Sequence, residues 1–297
     1  MRIHHINCGT MCPIGGRLLF YRAGLPADQR RLVCQCLLIE TDQHGLVLVD
    51  TGFGLGDVQR PHERLAGFFR TANGIRLTEG ETALRQVERL GHRANDVRHI
   101  VLTHLDFDHA GGIEDFPHAT VHVCDRELSA ALNGRQGFIA KRRYRPQQWD
   151  RDVKWQTYQL SGESWFGFTC VRDLRGLPPE ILLVGLIGHT LGHCGVAVAK
   201  GRGWLVHAGD AYFDAEEMDP DGPRCTVGLR LYQRMMEVDR QARLANQERL
   251  RNLRRERDGA IELFCSHDAT EFASLQASSP KGRFIRSAAP DDITPAI

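Results

Sequence analysis

The feature that most restricts how this chain can fold is the decapeptide THLDFDHAGG at residues 103–112. It follows directly on an apolar run, Ile100-Val101-Leu102, of the kind that is buried on both faces of a sheet. Two histidines and two aspartates therefore crowd the end of one buried strand. Three later stations repeat the arrangement: GHTLGH (188–193), HAGD (207–210) and CSHD (265–268), each following an apolar stretch. Ligand sites in α/β proteins collect where loops leave the ends of several strands. A fold that uses all four stations must bring four strand ends to one edge. His104, Asp106 and Asp108 alternate as on an extended segment. His109 breaks the alternation and demands a turn, which Gly111 and Gly112 would permit. Imidazole suits zinc, iron, nickel and copper, and carboxylate suits harder ions. A mixed His/Asp set with one bridging carboxylate fits a pair of divalent ions.

The remaining pattern is that of an α/β protein with sheets inside and helices outside. Residues 33–40 and 45–52 read as strands joined by a polar turn, and 53–77 as irregular. Thr78 and Glu81 fit a capping box opening a helix that carries Leu84, Val87 and Leu90 at helical spacing. Strands are expected at 98–104, 119–124, 180–186, 195–199, 203–210 and 260–267, with a helix at 125–132. Residues 133–165 mix basic and aromatic side chains without a period and read as a surface excursion or lid. Its basic residues Lys141, Arg142, Arg143 and Arg145 could receive an anionic group. A long helix is expected over 229–257, apolar along Tyr232, Met235, Val238, Ala242, Ala245 and Leu253. One domain over 1–277 and a loosely held Ser/Pro-rich tail over 278–297 complete the reading.

Composition excludes several classes. With a net charge of +1, nothing favours bulk attraction to nucleic acid or an anionic membrane. No apolar run approaches the roughly 18 residues that span a bilayer. Nine scattered cysteines read as reduced cytoplasmic thiols packed as small hydrophobes, the Cys34–Cys36 pair included. Closed structural zinc sites are Cys-rich, so the His/Asp stations point to catalysis.

T-H-x-D-x-D-H-A-G-G resembles the T-H-x-H-x-D-H-x-G-G signature of the metallo-β-lactamase superfamily. The G-H-T-x-G-H, G-D and S-H stations follow in that family's order, and VLVDTGFG (47–54) resembles its V-D-T-G motif. The resemblance implies an αβ/βα four-layer sandwich with two divalent metal ions at one edge between the sheets. Carried over by position, it assigns His104, Asp106 and His193 to the first metal. Asp108, His109 and His267 go to the second, and Asp210 bridges. His189 and Asp50 become residues that orient ligands. The departure is Asp106, where the family has His. Zinc is expected, but a carboxylate there adds negative charge and a harder donor, which admits iron, manganese or cobalt as alternatives.

Within the superfamily the chain looks most like the acyl-homoserine-lactone lactonases, which place a Tyr shortly after the bridging Asp; GDAYFD offers Tyr212, one position out of register. That resemblance implies ring opening by a metal-bound hydroxide, oriented by Asp108 or Asp210, with Tyr212 holding the oxyanion. Phosphodiester or phosphotriester hydrolysis and glyoxalase II-like thioester hydrolysis use the same metals. A non-enzyme alternative is a metal-dependent binding or sensing protein whose Asp106 has cost it turnover. The partner expected is a small-molecule substrate, and a homodimer is compatible with the reading.

Overall fold

Apolar strands with alternating faces can bury both faces only if another layer covers each side, and this chain solves the problem with two sheets. The computed structural model describes residues 1–16, 21–22, 24–134, 137–150, 152–257 and 259–278. The expected tail lies outside these residues, apart from the backbone of Ser278. The first sheet contains β1 (Arg2–Met11), β2 (Leu32–Glu40), β3 (Leu46–Val49), β4 (Ile75–Arg76), β5 (Val97–Val101), β6 (Thr120–Cys124) and β7 (Lys154–Tyr158). Their order is β4-β1-β2-β3-β5-β6-β7, antiparallel from β4 to β3 and parallel from β3 to β7. The second sheet runs β13-β12-β11-β10-β9-β8. It contains β8 (Ser164–Trp165), β9 (Phe168–Val171), β10 (Ile181–Gly185), β11 (Cys194–Lys200), β12 (Gly203–His207) and β13 (Ile261–Phe264).

Strand alternation distributes the apolar side chains over three interfaces. Leu37, Ile39, Val47, Val49 and Val101 of the first sheet meet Leu183, Val196, Val198, Leu205 and Phe264 of the second, forming the middle of the sandwich. The outer face of the first sheet packs Ile100, Leu102 and Val121 against Ala83, Val87 and Ala131. Those three belong to the helices α1 (Ala83–Arg89) and α2 (Asp125–Asn133). The outer face of the second sheet packs Leu182, Val184 and Val206 against Leu250 and Leu253. The result is the four-layer αβ/βα arrangement expected. At one edge the sheets are joined directly: Gln35 N–H donates to Ser266 O (2.8 Å) and Cys194 N–H to Thr103 O (2.9 Å).

The N-terminal segment forms a ten-residue strand, β1, in which His5 and Gln35 satisfy each other between strands (2.9 Å). Three local expectations need correction. The Thr78–Glu81 capping box is absent: Glu79–Glu81 is a 3₁₀ turn, and Thr82 caps α1 by accepting from Arg85 N–H. The described residues of 133–165 are not only a surface excursion, because Arg143, Tyr144, Gln148 and Trp149 are buried. They form α3 (Ala140–Arg143), a 3₁₀ turn with Gln148 buried, and strands β7 and β8. The long helix is two, α4 (Val227–Met236) and α5 (Arg240–Glu256), because Asp239 leaves helical geometry to cap α5 through Ala242 N–H. The buried face of α5 is Arg243, Asn246, Gln247, Leu250 and Leu253. Of the expected stripe, Met235 and Val238 are exposed, because the break turns the two helices onto different faces.

The glycines of THLDFDHAGG serve close approach rather than unusual dihedrals. A Cβ on Gly111 would lie 2.2 Å from Asp57 Oδ2 and 2.7 Å from Gly52 O. Arg64, 1% exposed, fastens this region: it donates to Asp57 Oδ1 (2.8 Å), Glu114 Oε1 (2.6 Å), Gln147 O and Gly111 O. Arg64→Met should leave the buried Asp57 carboxylate without its cation, at a cost of about 3–5 kcal/mol. Urea denaturation followed by circular dichroism measures this; a loss under about 1 kcal/mol would show the network to be dispensable.

Candidate metal centre

The centre is assembled from strand ends, as its sequence stations demanded. Asp50 follows β3, the 102–112 loop follows β5, Asp210 follows β12 and His267 follows β13. Asp50 takes a left-handed backbone (φ 56°), uncommon for a residue with a side chain. That conformation turns its carboxylate back to accept from Thr103 N–H (2.8 Å), Thr103 Oγ1 (2.7 Å) and His109 Nδ1 (2.8 Å). The Thr103 hydroxyl lies 2.9 Å from His104 Nδ1. His267 Nδ1 donates to Val33 O (2.7 Å). In all three histidines the outer nitrogen is anchored, which fixes the ring and frees Nε2 to face the centre.

Asp210 lies between two groups of histidines. Its Oδ1 is 3.1 Å from His267 Nε2 and 3.3 Å from His109 Nε2. Its Oδ2 is 3.4 Å from His189 Nε2 and 3.9 Å from His104 Nε2. Asp108 completes the side of His109 and His267, at 3.9 and 3.7 Å. Two ligand triads result, His104–His189–Asp210 and His109–Asp210–His267, each with its donor atoms within 4.8 Å of one another. His104 Nε2, His109 Nε2 and Asp210 Oδ1 are buried with no hydrogen-bond partner among the described residues. Burying polar atoms unpaired costs about 1–3 kcal/mol each, so these three fit a cation.

Electrostatics match that geometry. Burial pushes His104 down to about 4, reinforced by His109 beside it, so its Nε2 keeps a lone pair at neutral pH. Burial alone would raise Asp210, but His267, His109 and His189 hold it well below the usual carboxylate range. Burial raises Asp108.

Three expected roles change. His193 is not free to bind a metal, because its Nδ1 donates to Leu186 O (2.9 Å) and its Nε2 accepts from Asp210 N–H (2.8 Å). His189, expected only to orient ligands, stands with the first triad instead. Tyr212 is fully buried in the outer core of the second sheet, and its hydroxyl donates to Glu271 (3.0 Å), away from the centre. Asp106 does reach the first triad, with Oδ2 3.4 Å from His104 Nε2 and 3.1 Å from His189 Nε2. Its carboxylate is nevertheless gripped at both oxygens by Arg143, through Nε (2.6 Å) and Nη2 (2.6 Å).

Four residues at the centre had no sequence signal of their own. Arg143 was one of several arginines in a basic run. Glu127, on α2, accepts from Leu105 N–H, Thr190 Oγ1 and Gly192 N–H, and so holds the two histidine loops together. Cys34, one of the Cys-x-Cys pair, brings its sulfur within 4.8 Å of donor atoms of Asp108 and His267. Tyr232 packs its ring 5.7 Å from Phe213, which itself stacks on His267 at 5.0 Å. Burial, then Asp108, drives the Tyr232 hydroxyl well up.

The family model described as the metallo-beta-lactamase superfamily matches residues 30–267. A probable metallo-hydrolase of Mycobacterium tuberculosis is 39% identical over 268 residues, 90% of this chain and 80% of that protein. An N-acyl homoserine lactonase of Bacillus thuringiensis is 32% identical over 108 residues, 36% of this chain and 43% of that protein. Among solved structures, an N-acyl homoserine lactone hydrolase with N-hexanoyl-L-homoserine bound at its catalytic metal centre has a TM-score of 0.65. It covers 92% of this chain and 95% of that chain at 22% identity. A probable metal-dependent hydrolase from Staphylococcus aureus has a TM-score of 0.62 at 19% identity, covering 90% of this chain and 88% of that one. At these identities the structural likeness is one of fold.

Asp50→Asn tests the orienting role. An amide would donate to His109 Nδ1 and move the ring proton to Nε2, where a metal would bind. Metal retention should fall on the order of 10–100-fold, measured by chelator competition and elemental analysis. Unchanged retention would show that Asp50 only shapes the backbone.

Proposed function

The chain belongs to the metallo-beta-lactamase superfamily and is a metal-dependent hydrolase, and from that premise we propose that it opens N-acyl homoserine lactones and similar lactones. We assign His109, Asp210, His267 and Asp108 as the residues that would hold one metal. His104, His189 and Asp210 form the second candidate position. Metal bound there would polarise the substrate carbonyl and lower the pKa of a coordinated water to about 7.

The observation that carries the substrate reading is the wall beside the centre. Met11, Leu32, Phe53, Phe107, Phe213, Leu229 and Met236 form a continuous apolar cluster that includes Cys34 and, at its margin, Tyr232. The side chains of the cluster, Tyr232 aside, are packed at 6% exposure or less, so an acyl chain would have to part them to enter; their apolar character favours an acyl group over a charged one. Most guanidinium groups near the centre are committed elsewhere; Arg31, which shares a small cavity with Phe213 and His267, has a buried Nε without a partner among the described residues. Arg143 is spent on Asp106, Arg64 on Asp57 and Glu114, and Arg22 on Asp214 and Glu216. Arg145 donates to the carbonyls of Arg64 and Glu63, and Arg142 stacks on Phe138. The name of the partly matching Bacillus relative points the same way.

In this reading water adds to the lactone carbonyl and the ring C–O bond breaks. Asp108 takes the water's proton and returns it to the departing alkoxide, leaving the hydroxy acid. Tyr232, not Tyr212, is the hydroxyl that shares the field of the site carboxylates, and we assign it to the carbonyl oxygen. Phe213 and Phe107 keep bulk water from the reacting edge.

The test is a substrate panel on the metal-loaded protein. It contains acyl homoserine lactones of short to long chain, bis-p-nitrophenyl phosphate, S-lactoylglutathione and nitrocefin. Lactone opening, lost on chelation and restored by added divalent metal, is expected. Hydrolysis of the phosphodiester but of no lactone would overturn the substrate reading. Tyr232→Phe should lower kcat/KM on the order of 100-fold at unchanged metal content. Tyr212→Phe should change it less than about twofold and cost only about 1 kcal/mol of stability. The opposite pattern would return the role to Tyr212.

A further inference from the structure

Arg143 is the one buried cation at the centre whose presence the hydrolytic reading does not require. It is 2% exposed and is delivered by α3 between the 102–112 loop and the 188–193 loop. A guanidinium has five N–H groups and cannot give up its charge in a protein. Here each has an acceptor. Nε donates to Asp106 Oδ1 (2.6 Å), and Nη1 to Met236 O (2.6 Å) and His189 O (3.3 Å). Nη2 bonds Asp106 Oδ2 (2.6 Å) and lies 2.7 Å from His189 Nε2.

These contacts fall on one metal position only. In the His109–Asp210–His267 triad no arginine among the described residues bonds a ligand; the inward His109 Nε2 is unpartnered, as His104 Nε2 is in the other triad, so the difference between the two lies in the guanidinium. In the His104–His189–Asp210 triad, His189 Nε2 is engaged whichever nitrogen carries its proton. Protonated, it faces Asp106 Oδ2 at 3.1 Å; unprotonated, it accepts from Arg143. Asp106 presents both oxygens to the guanidinium, so the carboxylate that stands where a third histidine would bind is neutralised before any metal arrives. A divalent ion entering there must compete with a fixed positive charge for both groups. The residues present fit a metal at the His109–Asp210–His267 position and fit one less well at the His104–His189–Asp210 position.

We propose that Arg143 makes the two positions unequal: the His109–Asp210–His267 position binds metal tightly, and the His104–His189 position fills only at much higher free metal. This rests on reading these residues as metal ligands and is independent of the lactone assignment. Second-sphere contacts typically change metal affinity on the order of 10–100-fold, and Arg143 also opposes the ion by charge.

The experiment is a metal titration of the full chain with zinc, read by elemental analysis after equilibrium dialysis, and with cobalt, read by its visible absorption. The wild-type protein should show a first metal per chain and a second on the order of 100-fold weaker. His267→Ala should abolish the tight step, and His189→Ala only the weak one. Arg143→Met should narrow the gap by about tenfold or more by releasing Asp106 and His189. Asp106→Asn serves if Arg143→Met does not fold. It leaves Arg143 unneutralised and should weaken the weak step further with the tight step unchanged. Two equal, tight metals in the wild-type protein would overturn the inference and leave the hydrolase reading standing, as would a gap that neither variant alters. Absence of any bound metal would instead overturn the hydrolase reading itself.

Discussion

Everything at the edge of this molecule depends on one constraint: a set of carboxylates and imidazoles is buried together with almost no water to solvate it. His104, Asp106, His109, His189, Asp210 and His267 are each 3% exposed or less. Isolated buried charges of this kind are expensive, and they persist only when paired or bound to a cation. The chain answers with layers of hydrogen bonds radiating from the centre. Asp50 holds His109 and Thr103, Thr103 meets His104, and Glu127 ties the loop of His104 to the loop of His189. The sandwich is what makes such crowding affordable, because its strand ends supply rigid points from which short loops can reach one spot.

Much of this was legible in the sequence because two periodicities coincide with chemistry. Apolar runs such as 98–104 mark strands, and a polar station at the end of each marks the edge where strands converge. That is why His104, Asp108, His109, Asp210 and His267 could be grouped before any coordinates. His189 and His193 show where the logic stops. Both lie in GHTLGH, both are buried, and spacing cannot tell them apart. The distinction is made by Asp210 N–H, which reaches His193 Nε2, and by Leu186 O, which takes its other nitrogen. Backbone donors from a distant segment leave no mark on local composition.

Tyr212 and Tyr232 make the same point in three dimensions. Proximity to Asp210 in the chain favoured Tyr212, yet the turn after β12 drives that ring into the outer core against Glu271. Its neighbour Phe213 faces the centre instead, and Tyr232 arrives beside it from the later helix α4. The helix that carries Tyr232 also reads in the sequence as continuous with the one that follows. Asp239 reads as one more polar residue on a helical face until it caps α5 and separates the two helices.

Asp106 and Arg143 are the sharpest case, because the two residues make sense only together. Read alone, an aspartate in place of histidine suggests a harder metal; read alone, an arginine in a basic run suggests a surface charge. Joined, they form a buried bidentate ion pair with every donor used. Such a pair does not depend on a metal for neutrality. A histidine in the place of Asp106 would present an unpaired nitrogen that only a metal satisfies, coupling metal binding to folding at that position. With the pair in place, Asp106 is neutralised by protein, although His104 Nε2 beside it stays unpartnered; around the His109–Asp210–His267 half, His109 Nε2 and Asp210 Oδ1 are unpartnered and no arginine among the described residues bonds a ligand. The two halves of the centre are thus unequal in charge: one carries a fixed guanidinium and the other does not.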